Sequence, residues 1–305
     1  PWILVGLGGG VALLLAAIAM AVAFSGGTKP PVTDTDGRKW YVTKSGKSPD
    51  PDRTLQTLRG AIDQADAGDT IVLLDDQIDD PPLTVAGRRT KGSLRGVSFV
   101  AGSPSGTVTW TPKAGASRAD VVLDLRETED FRVTGIVIDA GDYFPIGIGA
   151  SNSCGGLVLE NVAVRNPKQI GFRFTTLQAD PAKPVRLTKF RATAKSKIDA
   201  GVQVIGSIHP ASRALILDGG ILSGPGSAGV SINPPSDLDA RNLRISGFDA
   251  GVRIGGRAPP DIGFAVAFQH STFFGMSGPA VALDAPLAGG KQTLSLTANL
   301  FAQCK

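Results

Sequence analysis

Apolar and polar residues alternate at period two through most of this chain, in short runs separated by turn residues. Such runs begin near Phe131 (FRVTGIVIDAG), Leu157 (LVLENVAVRNP), Val185 (VRLTKFRATAK), Leu215 (LILDGGILSGP), Leu238 (LDARNLRISGF), Val266 (VAFQHSTFFGM) and Leu294 (LSLTANLFAQC). Their starts are 26, 28, 30, 23, 28 and 28 residues apart, a repeat of one structural unit. A second motif recurs between them: IGFRF at 170, AGVQV at 200, AGVSI at 228, AGVRI at 250 and PAVAL at 279. Each unit therefore reads as a strand, a turn, a second short strand, a loop and a glycine-led strand. Alternation turns one face of every strand inward. Gly135, Asn161, Gly219 and Asn242 fall at one corner of the unit, where a positive φ suits glycine and asparagine; Lys189, His270 and Ala298 fill the same corner in other units.

Three short strands per unit with no intervening helix predict an all-β coil whose rungs stack as parallel sheets about 4.8 Å apart. We expect roughly nine or ten rungs on this spacing. A leucine-rich repeat is the rival, because LVLENVAVRN matches part of its motif; it needs a helix or equivalent on the far side, where this chain has the strand-like AGVxI. The entry to the coil is different. WYVT at 40 reads as a strand, and Leu55, Leu58, Ile62 and Ala65 fall on one helical face behind Asp52 or Thr54 as N-cap. Gly68 closes that helix, and Thr70–Leu74 is a strand. An amphipathic helix there covers the first rung, whose open edge would otherwise pair with other chains.

Upstream, Trp2 to Phe24 runs without a charge, long enough as a helix to span a bilayer core of about 30 Å. The competing reading is a secretory signal peptide, since Ala21-Val22-Ala23 has the small-x-small form of a cleavage site; the apolar run exceeds the usual signal length. Residues 25–39, with Ser-Gly-Gly, Pro30-Pro31 and alternating Thr and Asp, read as a stalk. The expected organisation is thus a transmembrane helix at 1–24, a linker at 25–39 and a β-helix at 40–305, truncated after two strands of its last rung. The lipid bilayer is the partner of Trp2–Phe24, and the coil lies outside the cytoplasm as part of a single-pass membrane protein.

The segment WYVT…TLQTLRGAIDQADAGDTIVLL resembles the N-terminal cap and first rung of right-handed parallel β-helix proteins of the pectin-lyase-like group. The units from 131 onward resemble that group's later coils, so the resemblance covers about residues 40–305. The order of membrane helix, Pro/Thr/Asp stalk and β-helix also resembles the exterior part of planctomycete-type membrane Ser/Thr protein kinases. That resemblance implies a binding or sensing module whose kinase domain is not in this chain, which has no His-Arg-Asp, Asp-Phe-Gly or glycine-rich nucleotide loop. The pectin-lyase-like resemblance implies as an alternative a polysaccharide lyase or glycoside hydrolase acting on acidic polysaccharide; a structural surface stalk is the second alternative.

Composition narrows the partners. Sixty Gly and Pro residues, 39 and 21, make a turn-rich chain, and a net charge of +4 is too small for a dedicated nucleic-acid binder. For catalysis the nearest candidates are Asp139 and Asp142, three residues apart after IVIDAG, with Arg132 and Arg165 on the same and next rungs. Two such carboxylates can share a cation or divide acid and base roles; Asp-Ala-Gly-Asp is equally a plain turn. Asp75-Asp76 and Asp79-Asp80 read as a solvated acidic loop. His209 and His270 have no Cys, Asp or Glu at ligand spacing, so no metal and no cofactor is expected. For binding, the outward residues of the glycine-led strands, Arg173, Gln203, Ser231, Arg253 and Ala282, stack into a mildly basic stripe without acids that suits an anionic glycan or cell-envelope polymer; the plainer reading is a solvated sheet face. Sugar-stacking aromatics are few: Trp110, Tyr143 and Phe144. Cys154 and Cys304 lie five rungs apart, about 24 Å, so two free thiols are expected.

Overall fold

The computed structural model describes residues 37–305, apart from 90–91, 114–118, 180–181, 207–212, 235, 257–262 and 285–291; the side chains of 88, 89, 92, 213 and 214 are not described either. The Trp2–Phe24 span, most of the stalk and His209 lie outside the described residues. Among the described residues no helix is long and apolar enough to cross a membrane.

The chain coils. One turn is built from Val158–Glu160, Ala163–Arg165 and Ile170–Thr175, the next from Val185–Thr188, Arg191–Thr193 and Ile198–Ile205. Each strand pairs in parallel with its equivalent one turn on: Leu159 with Leu187, Val164 with Ala192, Phe172 with Val202. We refer to the three stacks as the first, second and third sheets in chain order. In two turns the second and third strands run on as one, Ile221–Asn233 and Arg244–Ile254, which merges those two sheets at that level. Among the described residues the third sheet holds eight strands, so the coil completes about eight turns and not the nine or ten expected from spacing. The first sheet extends past them, and its early rungs carry longer loops that the later repeat does not predict. The antiparallel exception among the described residues is the small pair Arg88–Arg89 with Gly92–Ser93.

Inward columns form the core. Val133, Leu159, Leu187, Leu217, Ala240 and Phe268 follow one another in register on the first sheet and are fully buried. Leu123, Ile148, Phe172, Val202, Val230 and Val252 do the same on the third. The recurrent glycine of the AGVxI motif has a steric cause. A Cβ on Gly147, Gly229 or Gly251 would lie 2.2 to 2.5 Å from Val164, Ile245 or Phe273, side chains of the second sheet that point into the same corner. At the tight corner between first and second sheets Gly135, Asn161, Lys189, Gly219, Asn242, His270 and Ala298 all have φ between +50° and +75°. One left-handed residue per turn is what lets the chain bend there, and only some turns use the residue types that adopt it most easily.

The cap helix is shorter than the sequence reading and starts later. It spans Leu58–Gln64, capped by Thr57, whose hydroxyl accepts from the Gly60 N–H at 3.1 Å. The expected N-caps are displaced because Asp50 caps a short 3₁₀ turn at Pro51–Arg53, and Thr54–Leu55 pairs as a strand with Tyr41 and Val42. Leu58, Ala61 and Ile62 are buried over the first rungs. The acidic run is likewise not a solvated loop. Asp80 is buried; its carboxylate accepts from the Leu58 N–H, and its carbonyl accepts from the buried Trp110 indole at 2.7 Å. Asp75 accepts from the Thr43 hydroxyl and the Lys44 N–H, both at 2.7 Å, and Asp79 pairs with Lys44 and Lys113. Three of the four neighbouring acids thus tie the entry segment to the coil, with the Leu58 N–H, the Thr43 and Lys44 donors and two lysines facing them, while Asp76 is exposed and accepts from the Ser105 hydroxyl.

At the far end Leu296 and Phe301 continue the inward columns of Phe268 and Phe273 and are 43% and 45% exposed.

Candidate binding faces

The outward residues of the third sheet are in register as Thr84, Asp124, Gly149, Arg173, Gln203, Ser231, Arg253 and Ala282. The expected column from Arg173 to Ala282 is therefore continuous. Its expected lack of acids is not. Arg253 donates through Nε to both oxygens of Asp284, at 2.9 and 3.1 Å, because the next outward position across the turn carries that carboxylate. Asp124 enters the same column and accepts from Arg126 at 2.7 Å. Arg173, Gln203 and Ser231 remain as three consecutive half-buried polar side chains without an ion-pair or side-chain hydrogen-bond partner among the described residues.

The catalytic candidates divide between sheets. Asp139 and Arg165 are register partners on the second sheet. Asp139 accepts from the Gly141 N–H at 3.2 Å and from the Asn166 amide at 3.1 Å, and Asp142, at φ +60°, donates its N–H to the Asn166 carbonyl at 2.8 Å. Both aspartates thus build a turn tied to the next rung. Arg132 lies on the first sheet, 3.7 Å from Glu160. The structure places Asp139 beside Arg165 and separates Arg132 from them. Among the described residues no group of three His, Cys, Asp or Glu could hold a metal ion. His270 occupies its corner, exposed.

Of the expected exposed aromatics only Tyr143 is one, at 71%; Trp110 and Phe144 are core residues, because the inward phase of their strand and turn points them under the sheets. Cys154 is a buried free thiol whose pKa burial raises, and Cys304 is a half-buried one.

Two charged sites organise the edges of the coil and were not singled out from sequence. Asp69, almost fully buried, accepts from the Arg38 N–H at 2.8 Å, the Trp40 indole at 2.9 Å and the Asp66 N–H at 2.9 Å. Burial pushes its carboxyl up, and these donors with the Arg38 charge outweigh that and hold it below the ordinary carboxylate value. Asp130, at φ +52°, is gripped by Arg95 at 2.9 Å and by Lys183 at 2.9 and 3.0 Å. Desolvation raises its pKa, and the hydrogen bonds and charges of Lys183 and Arg95 outweigh that, with a net depression. The alternation that hides a lone acid between apolar residues gives no sign that three donors converge on it.

No protein-family model matches the chain, and no curated protein does. Solved structures do. A pectin methylesterase in complex with a hexasaccharide superposes with a TM-score of 0.53 at 12% identity, over 87% of this chain and 90% of that one. The pectin methylesterase of Aspergillus niger gives 0.50 at 11%, over 87% and 85%, and pectate lyase Pel9A gives 0.50 at 11%, over 83% and 78%. At such identities the likeness is one of fold: the described residues adopt a right-handed parallel β-helix, as these structures do.

Proposed function

We propose that this chain is a membrane-anchored, extracytoplasmic binding module, tethered through Trp2–Phe24, that holds an anionic glycan or cell-envelope polymer along its third sheet. The observation that carries this reading is the column Arg173–Gln203–Ser231. Three unpartnered polar side chains repeat there at the rung spacing, and a guanidinium leads them with a fork suited to a carboxylate. Asp139 and Asp142, the carboxylates nearest to a catalytic pair, are engaged in a turn. That favours binding over cleavage, and fold alone does not confer activity.

The test is binding of the full chain to polygalacturonate and to a neutral glucan, together with assays for unsaturated and reducing ends. We expect retention on the acidic polymer, weakened by Arg173→Ala, with no product released. Product release abolished by Asp139→Asn would replace this reading with the lyase or hydrolase one. The finer reading makes the coil the exterior part of a membrane Ser/Thr protein kinase. It requires a native polypeptide well above 31.4 kDa that stays with membranes. A soluble band at or below that mass, detected by antibody to residues 40–305, would overturn the tether.

A further inference from the structure

The second sheet presents a different outward face. One column runs Ala163, Arg191, Ile221, Arg244, Thr272, and its neighbour runs Arg165, Thr193, Ser223, Ser246, Phe274. Arg165, Arg191 and Arg244 are exposed, and none has an ion-pair partner among the described residues. Seven other arginines, Arg38, Arg53, Arg95, Arg126, Arg132, Arg241 and Arg253, each sit beside a carboxylate, whereas Arg59, Arg173 and Arg186 are likewise without an ion-pair partner among the described residues. The hydroxyls of Thr193, Ser223 and Ser246 make no side-chain hydrogen bond among the described residues and lie between the guanidinium groups.

The flanks add charge of the same sign. Lys168 and Lys195 are exposed in the loops leaving this sheet, and Lys189 stands at the tight corner, 3.8 Å from Glu160. Of the acids nearby, Asp249 pairs with Lys197, Asp139 heads the column of Arg165, and Asp199 is exposed at the position of Asp249 two rungs earlier, on the side toward the third sheet. A chain of net charge +4 thus concentrates three unpaired arginines on four successive rungs.

We infer that this face of the second sheet is a binding surface for a linear polyanionic polysaccharide laid along the coil axis, distinct from the Arg173 column. Arg165 and Arg191 are one rung apart and Arg191 and Arg244 two, so along the axis the charges fall at steps of about 5 and 10 Å, with Arg165 offset by two strand residues, about 7 Å, into the neighbouring column. An extended polymer with one carboxylate or sulfate per sugar can meet such steps without bending. The guanidinium forks take the acid groups and the hydroxyl column takes the sugar hydroxyls. Phe274 is the exposed aromatic of this face and lies at its far end, which leaves no platform for stacking nucleobases. With a second face around a corner from the first, one coil can hold two polymer chains at once.

The experiment uses the full chain with polygalacturonate as the probe, by affinity electrophoresis over a salt series and by light scattering. The Arg165→Ala/Arg191→Ala/Arg244→Ala variant should bind about tenfold more weakly or worse at low salt, and its log–log salt dependence should be shallower by about two to three charges. Arg→Lys at the same positions should restore most of the salt dependence. The wild-type chain should cross-link the polymer into scattering particles, while the triple variant binds without cross-linking. Unchanged affinity in the triple variant, with unchanged circular dichroism, would overturn the inference even if Arg173→Ala weakens binding. Loss in the triple variant with none in Arg173→Ala would instead retire the third-sheet reading and leave this one. Equal binding of single-stranded DNA or of phosphatidylserine vesicles would overturn the polysaccharide assignment.

Discussion

Gly220 carries no side chain because the ring of Phe190 occupies its place. A Cβ there would lie 2.2, 2.4 and 2.8 Å from three atoms of that ring, against the 3.5 to 4 Å of an ordinary carbon contact of about van der Waals distance. The ring has little freedom to retreat. Phe190 is buried, packs edge-on to Phe172 at 5.7 Å, and its carbonyl accepts from the Ile221 N–H at 2.9 Å, which fixes the two rungs against each other. Gly220→Ala should therefore force a shift of more than about 1 Å and cost about 1 to 3 kcal/mol. Phe190→Ala alone opens a cavity and should cost about 3 to 5 kcal/mol. In the double variant the new methyl enters space the ring has left, so its loss should fall short of the sum by about 1 to 3 kcal/mol. Urea unfolding at constant m, followed by two coincident probes, measures the cycle. Additivity within about 0.5 kcal/mol would mean the ring does not lie over Gly220, and the stacking of those two rungs would be wrong.

The left-handed corner offers the opposite sign. His270 and Lys189 sit at φ +50° where Asn161 and Asn242 sit at +50° and +54°, so His270→Asn and Lys189→Asn should each stabilise by about 0.5 to 1 kcal/mol in the same urea assay. Asp69→Asn removes a buried charge that three donors face and should destabilise by about 2 to 3 kcal/mol. Because Asp69 and Asp130 are held below the unfolded carboxylate value, their stabilisation is complete above about pH 4 and is lost as pH falls through their folded values. Acid titration of stability should accordingly flatten in Asp69→Asn and in Asp130→Asn; a wild-type acid limb in both would refute the pairing. Asp80→Ala, which leaves the Leu58 N–H without its acceptor, should raise hydrogen exchange over Leu58–Gln64 while later rungs stay protected. Uniform exchange along the coil would show that Asp80 does not hold the cap.

The repeat was legible in the sequence because a coil makes the same demand at every turn. Inward positions must be apolar at period two, one corner residue must accept positive φ, and one strand position must lack a side chain; these recur as LxL, as Asn or Gly, and as AGVxI. Local preference was enough to place the three strands and to phase the columns that carry Arg173, Gln203 and Ser231. What it could not decide is where side chains from different turns meet. Asp80 reads as one of four loop acids until the fold sets it under the N–H of Leu58, 22 residues earlier. Arg253 reads as a free cation until the next turn lays Asp284 beside it, 31 residues on. Trp110 reads as an exposed ring until its strand phase turns the indole inward onto the Asp80 carbonyl. Arg165, Arg191 and Arg244 lie 26 and 53 residues apart in sequence, and stacking alone gathers them on one face. Periodicity is a property of each strand and survives without neighbours; charge pairing is a property of adjacent turns and exists only once the rungs have closed.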